Sequence, residues 1–305
     1  MSRAFVTALV ILMGTAVPTP AALRVVATTP EHAALAAAVG GDRVSVTVIA
    51  RATEDPHFVD ARPTHIVALN RADLLIHGGA ELESGWLPPL PEGARNPRIL
   101  PGAPGNLAAS HGIQLLDIPA AADRSLGDIH LAGNPHFMMD PENARIVARH
   151  IADVLTQLDP SGGTSYGANL ARFEEALDAK TKEWTALLAP LRGTPVVTYH
   201  STWRYFAARF GLRSDTYLEP KPGIPPSPPH LAQIIGKMKA DGIRVILVEP
   251  FQPHRTAEAV AAQTGAAVVD VCQFPGGLPG TEGDYLRLMD ANVRRVAAAL
   301  AAARN

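Results

Sequence analysis

The sequence holds a single cysteine, Cys272, in 305 residues. One thiol cannot close an internal disulfide, and no cysteine follows the apolar N-terminal segment to carry a lipid. Cys272 lies in "VVDVCQFP", behind an apolar strand-like run, where a buried structural thiol is expected. Charge of either sign is not in excess: 27 basic residues face 29 acidic ones, a net of −2. That balance implies no polyanionic partner, and no basic run forms a nucleic-acid footprint. Aromatic residues make up only 5% of a chain that is 47% hydrophobic. Beyond the N-terminus no apolar run is long enough to span a bilayer. No "HExxH" occurs, so the common signature of a zinc peptidase is missing.

What is present begins with "MSRAFVTALVILMGTAVPTPAALRVV". A short basic start, an apolar stretch too short for a membrane span and small residues at Ala21 and Ala22 have the form of an export signal. Residues 1–22 are read as that signal. The mature protein is then expected free in an exported compartment, most simply a bacterial periplasm, and not lipid-anchored. The chain length suits two domains with ample core.

Periodicity organises the rest. Strand-like runs at 23–29, 43–50 and 73–79 alternate with helical patterns at 30–40 and 63–72. Later runs at 194–200, 214–219, 243–250 and 266–271 alternate with helices at 201–211, 227–242, 255–265 and 283–303. Ser201 is read as an N-cap and Gly211 as a C-cap. Alternation of this kind predicts mainly parallel sheets with helices on their faces, here in two lobes. Between the lobes, Leu170, Phe173, Leu177, Trp184 and Leu188 share one face of a long helix over 165–193. About 25 residues at 1.5 Å each give a rod of roughly 38 Å, which would limit the lobes to small tilts. The expected domains are 23–160, a linker helix 161–192, and 193–305.

Histidines carry the chemistry. His57 in "EDPHF", His136 in "GNPHF" and His200 at the end of "PVVTYH" each stand after a strand or in a loop facing strand C-termini. Ligands of open α/β sheets bind in that crevice. Three imidazoles converging between two lobes would suit a tetrahedral site for a borderline metal such as zinc, completed by a carboxylate or water. Pro56 and Pro135 stiffen the backbone before two of them. A lone histidine is more often a hydrogen-bonded surface or core residue, and His32, His65, His77, His150, His230 and His254 are read that way. His111 and His130 lie in the long irregular segment 88–135. A helix is expected to open at Asp140-Pro141-Glu142, just past His136.

The stretches "VVATTPEHAALAAAVGGDRVSVTVI", "EDPHFVDARPTHIVALNRADLLIHGG", "GNPHFMMDPENA", "VVTYHSTWRYFAARFGL" and "VILVEPFQPHRTAEAVAAQTGA" together resemble the cluster A-I solute-binding proteins. These are the zinc- and manganese-binding components of ABC importers. The resemblance covers nearly the whole mature chain. It implies two (βα)4-like lobes joined by one long rigid helix, with the metal in the interlobe cleft and His57, His136 and His200 as its first three ligands. Manganese-handling members often have Glu at the third position, so His200 favours zinc. Many members draw a fourth ligand from an Asp after the final strand. That loop here reads "DVCQFPGGLPGTEGDY", with Asp270 too early. Glu219, in "TYLEPKPGIPP", is the preferred fourth ligand, Asp270 the runner-up and water the third option. Glu249 in "VILVEP" is a candidate for supporting a ligand by a hydrogen bond, and His130 for an auxiliary or transfer site. His111, Asp117, Asp123, Asp128 and His130 are too sparse for a high-capacity metal reservoir but are candidates for capturing a passing ion or docking a metal-donating partner.

The expected function is that of a zinc-binding protein, not an enzyme, which captures Zn²⁺ and delivers it to an ABC permease. The expected partners are the ion and that permease, with a periplasmic metallochaperone as a further candidate. No nucleic acid is involved, and the state expected is a monomer. The alternatives are a manganese- or iron-specific protein of the same fold and a zinc-dependent periplasmic hydrolase. Since zinc needs neutral imidazoles, its affinity should fall as pH drops through about 6.5.

Overall fold

A computed structural model describes residues 21–120 and 130–304 of the chain. Nearly all of the expected export signal lies outside those residues, as do Asp123 and Asp128. The first lobe runs β1 (Leu23–Ala27), α1 (Pro30–Gly40), β2 (Val44–Val48), α2 (Pro63–Arg71), β3 (Leu74–His77), α3 (Pro89–Ala94), β4 (Asn106–Ala108) and α4 (Pro141–Leu158). A single long helix, α5 (Gly163–Leu188), leads to the second lobe. That lobe runs β5 (Pro195–Thr198), α6 (Arg204–Phe210), β6 (Arg213–Tyr217), α7 (Pro228–Asp241), β7 (Val245–Val248), α8 (His254–Thr264), β8 (Ala267–Asp270) and α9 (Tyr285–Ala302). Among the described residues no helix is long and apolar enough to cross a membrane.

The sheets have the orders β2-β1-β3-β4 and β6-β5-β7-β8, with every pairing parallel. In each lobe the chain adds its second strand on one side of the first and its third on the other. The strand order therefore reverses beside β1 and beside β5, which opens a crevice at the C-terminal strand ends.

Strand alternation decides which core each side chain enters. Val25, Ala27, Leu74 and Ile76 face one way, into a core that also takes Val245 and Leu247 of the second lobe. Val26 and Leu75 face the other way, against Leu69 of α2 and Leu90 of α3. In β7, Ile246 and Val248 likewise turn to Ile234, Met238 and Val260 of α7 and α8. Each lobe thus has a private core on its outer face, and both share one core on the inner face.

The long helix lies against that shared core. Its buried residues are Tyr166, Phe173, Leu177, Trp184 and Leu188. The expected stripe is borne out except at its N-terminal end, where Leu170 is half-buried and Tyr166 takes the inner position. At that end Tyr166 Oη donates to Asp159 at 2.8 Å, and Arg43 pairs with the same carboxylate at 2.7 Å. Towards the other end Trp184 Nε1 and Lys180 Nζ both reach Asp290 of α9 at 3.0 Å. With 26 residues, α5 is about 39 Å long and fastened to a different lobe at each end.

Three local readings are refined. The short β4 is not visible as a strand in the sequence, because only Leu107 of its three residues is buried. Ser201 does not cap a helix: residues 201–203 form a 3-10 turn whose N-cap position is His200 itself. The helix expected at Asp140 is α4, with the Asp140 carboxylate accepting the Glu142 N–H at 3.0 Å and Pro141 in its first turn.

Candidate metal centre

The strand ends deliver the site residues. His200 follows β5 by two positions, Glu219 follows β6 by two, Glu249 is next after β7, and Gln273 lies three beyond β8. From the first lobe come His57, in the loop after β2, and His136, which caps a 3-10 turn of the buried Phe137, Met138 and Met139. Tyr205 of α6 braces that segment across the lobes: its hydroxyl accepts the Leu116 N–H at 2.8 Å and donates to the Asn134 carbonyl at 2.7 Å.

His57, His136 and His200 meet, with one ligand nitrogen of each within 4.8 Å of the others. Their ring centroids are 5.2–5.6 Å apart and every pair is edge-on. The orientation of the rings has a single cause. His57 Nδ1 lies 2.8 Å from Asp55 Oδ1, and the same oxygen accepts the His57 backbone N–H at 3.0 Å. His200 Nδ1 lies 2.8 Å from Glu219 Oε2. His136 Nδ1 lies 3.0 Å from Gln273 Oε1. An ionised carboxylate only accepts, so the proton of His57 and of His200 sits on Nδ1. The Nε2 lone pair is then bare, which is how second partners prepare imidazoles for a metal. His136 Nε2 is buried with no hydrogen-bond partner.

Electrostatics agree with a neutral ring at His136. Burial holds the His136 imidazole well below its ordinary value, with His200, His57 and His130 adding to the effect. For Asp55, burial alone would raise the carboxyl, but the hydrogen bonds from the His57 ring and the His57 backbone N–H outweigh it and keep it below the usual range. Glu249 is fully buried, which pushes it up to about 8. It accepts the backbone N–H of Gln273 at 3.0 Å and the Gln252 amide at 3.3 Å. Its support of His136 is therefore indirect, through the position of Gln273.

The expected fourth ligand has a different place. Glu219 uses Oε2 on His200 Nδ1 and Oε1 on the Gly223 N–H at 2.6 Å, so it stands behind the ring and not among the three Nε2 atoms. Asp270 has a side chain 60% exposed, beside His254 at 3.6 Å. His130 is closer than the sequence suggested: its Nε2 lies 3.2 Å from His57 Nε2, with the rings stacked at 5.2 Å. Asp117 is paired with Arg204 at 3.0 Å, while the His111 ring lies tilted beside that of His150, centroids 5.4 Å apart. Asp55 and Gln273 were missed as orienting groups. The Asp-x-His spacing was the available signal for Asp55, whereas nothing in "VCQFP" marks Gln273.

Two cavities open on the cluster. One, of about 230 Å³, is lined by His57, His136, His200, Tyr199 and Phe251. The other, of about 500 Å³, reaches His200 and His130 from the side of Arg204 and Lys221. Cys272 is buried as expected, 3.5 Å from the Ala52 carbonyl, and burial pushes its thiol far up, so it is no thiolate ligand.

A family described as zinc-uptake complex component A, periplasmic (ZnuA), matches residues 25–299. The chain belongs to the ZnuA family. Among ZnuA proteins, that of Brucella abortus (strain 2308), a high-affinity zinc uptake system protein, is 33% identical over 134 residues. That match covers 43% of this chain and 40% of the relative, so this chain spans well under half of that ZnuA. The manganese ABC transporter substrate-binding lipoprotein PsaA of Streptococcus anginosus is 25% identical over 91% of this chain and 89% of its own. A crystal structure of ZnuA superposes with a TM-score of 0.77 at 26% identity, covering 91% of this chain and 99% of that one. The two parallel-sheet lobes and the long helix are thus those of ZnuA structures.

Proposed function

We propose that the protein captures Zn²⁺ in the periplasm and delivers it to an ABC-type membrane importer, as a binding component and not as an enzyme. The observation that carries this reading is the shared orientation of His57, His136 and His200, whose Nδ1 atoms are all engaged by acceptors while Nε2 faces the cluster. Neutral imidazoles with bare Nε2 atoms suit a borderline cation and give no charge compensation to a hard one. Ligands on both lobes make capture depend on lobe spacing. The nitrogens, up to 4.8 Å apart, must contract to the edges of a tetrahedron of Zn–N bonds, about 3.3 Å for bonds of about 2.0 Å. A small tilt about the shared core supplies that contraction, and the reverse tilt on a permease would release the ion.

Glu219 and Asp55 are assigned the work of holding His200 and His57. A manganese or iron cargo is the second reading, favoured by the name and long coverage of PsaA. It is opposed by the lack, among the described residues, of a carboxylate within the cluster. The test is a competition titration of metal-free protein with zinc and manganese against a chromophoric chelator. Zinc bound one-to-one and at least a thousandfold tighter than manganese supports the proposal; equal affinities, or a preference for manganese, refute it.

A further inference from the structure

We propose that His130 is the fourth metal ligand, which would make the site one of four neutral imidazoles without a carboxylate. This rests on the zinc reading above and specifies it.

The first observation is a distance. His130 Nε2 lies 3.2 Å from His57 Nε2. Two nitrogens bound to one zinc at about 2.0–2.1 Å stand about 3.3 Å apart when the geometry is tetrahedral. The His57–His130 edge already has the length that a shared ion requires.

The second is elimination by contact. The oxygen donors near the cluster are committed elsewhere. Asp55 holds His57 Nδ1, Glu219 holds His200 Nδ1 and Gly223 N, Gln273 Oε1 holds His136 Nδ1, and Asp270 is exposed beside His254. Among the described residues His130 is the remaining donor that touches the cluster and shares a cavity with His200.

The third is anchorage. The Leu131 N–H donates to Glu81 Oε2, the Gly133 N–H to the His130 carbonyl at 3.1 Å, and the Asn134 N–H to the Leu116 carbonyl at 2.7 Å. Gly133 has φ +117, and a Cβ there would stand 2.8 Å from the Leu116 carbonyl oxygen, so this bend needs glycine. The imidazole is presented by a built turn.

Without metal, His57 Nε2 is an acceptor, because its proton sits on Nδ1, and His130 donates from Nε2–H. When zinc takes the His57 lone pair, the His130 proton moves from Nε2 to Nδ1 and Nε2 becomes a ligand. No proton is gained or lost overall. Four uncharged nitrogens would leave the full dication charge in the site, which favours zinc over the harder manganese.

X-ray absorption at the zinc edge of the wild-type holoprotein, together with zinc and manganese affinities of wild type, His130→Ala and His130→Asp, tests this. The expected result is four imidazoles per zinc in the wild type. His130→Ala should lose more than the roughly 10–100-fold that removing an orienting partner costs, and His130→Asp should narrow the zinc-to-manganese ratio. Three imidazoles in the wild type, or a His130→Ala affinity within twofold of it, overturns the inference and leaves the three-histidine reading standing. A wild type that fails to bind zinc overturns that reading instead.

Discussion

Replacing Glu219 by Gln separates orientation from ligation. Glu219 holds His200 Nδ1 at 2.8 Å with one oxygen and the Gly223 N–H at 2.6 Å with the other. A glutamine of the same shape has one oxygen and one NH₂. If the oxygen stays on Gly223, the NH₂ donates to His200 Nδ1, which drives the imidazole proton to Nε2 and blocks the lone pair meant for the metal. If the amide flips, His200 keeps its tautomer and the Gly223 N–H faces a donor. Gly223 is exposed, so water relieves the second arrangement, and its cost falls at the low end of about 1–3 kcal/mol. The expected loss of zinc affinity therefore sits at the low end of the roughly 10–100-fold that removing a partner behind a metal-bound histidine costs, about 10-fold or about 1.4 kcal/mol. Chelator competition at pH 7.5 measures it, with His200→Ala as the reference for a true ligand. A loss in Glu219→Gln as large as in His200→Ala, with one donor fewer at the zinc edge, would show that Glu219 is itself a ligand and that this reasoning fails.

Other outcomes follow from the same geometry. His136→Ala should weaken zinc binding by orders of magnitude while His254→Ala leaves it unchanged, as read by the same competition; equal effects would place the site elsewhere. Zinc affinity should fall as pH drops, but less steeply than three ordinary imidazoles require. Each of those would cost a factor of about 30 at pH 5, and burial keeps His136 neutral there. A loss well short of roughly 30,000-fold between pH 7.5 and 5 is expected, and one near 30,000-fold counts against the buried, neutral His136. Glu249 stays protonated up to about 8 in the fold but ionises near 4.5 when unfolded. Its contribution to stability is complete below about 4.5 and declines as pH rises towards 8. Glu249→Gln should therefore raise the Tm of the metal-free protein more at pH 8 than at pH 5, and a pH-independent shift in thermal melts would contradict that.

Most of the architecture is legible in the chain because it depends on period. Val25 and Val26 reach opposite cores by strand alternation alone, and Phe173, Leu177, Trp184 and Leu188 fall on one helical face by spacing alone. The exceptions are elements too short to show a period, such as Asn106–Ala108, and residues whose role is set by a neighbour far along the chain. Ser201 looks like a cap because serine usually is one. In the structure the corner after β5 is taken by His200, which the turn aims at the cleft.

The candidate site divides in the same way. The sequence by itself determined that His57, His136 and His200 belong together: each follows a strand or closes a loop at strand C-termini, and the topology brings such ends to one crevice. Only the tertiary structure decided what stands around them. His130 and His57 are 73 residues apart and touch through Nε2. Gln273 meets His136 across 137 residues. Glu219 lies behind His200 and not in front of it. Whether a carboxylate acts as ligand or as orienting partner is a matter of which ring nitrogen it meets, a difference of a few ångströms. It is fixed by packing between two lobes and has no counterpart in local spacing.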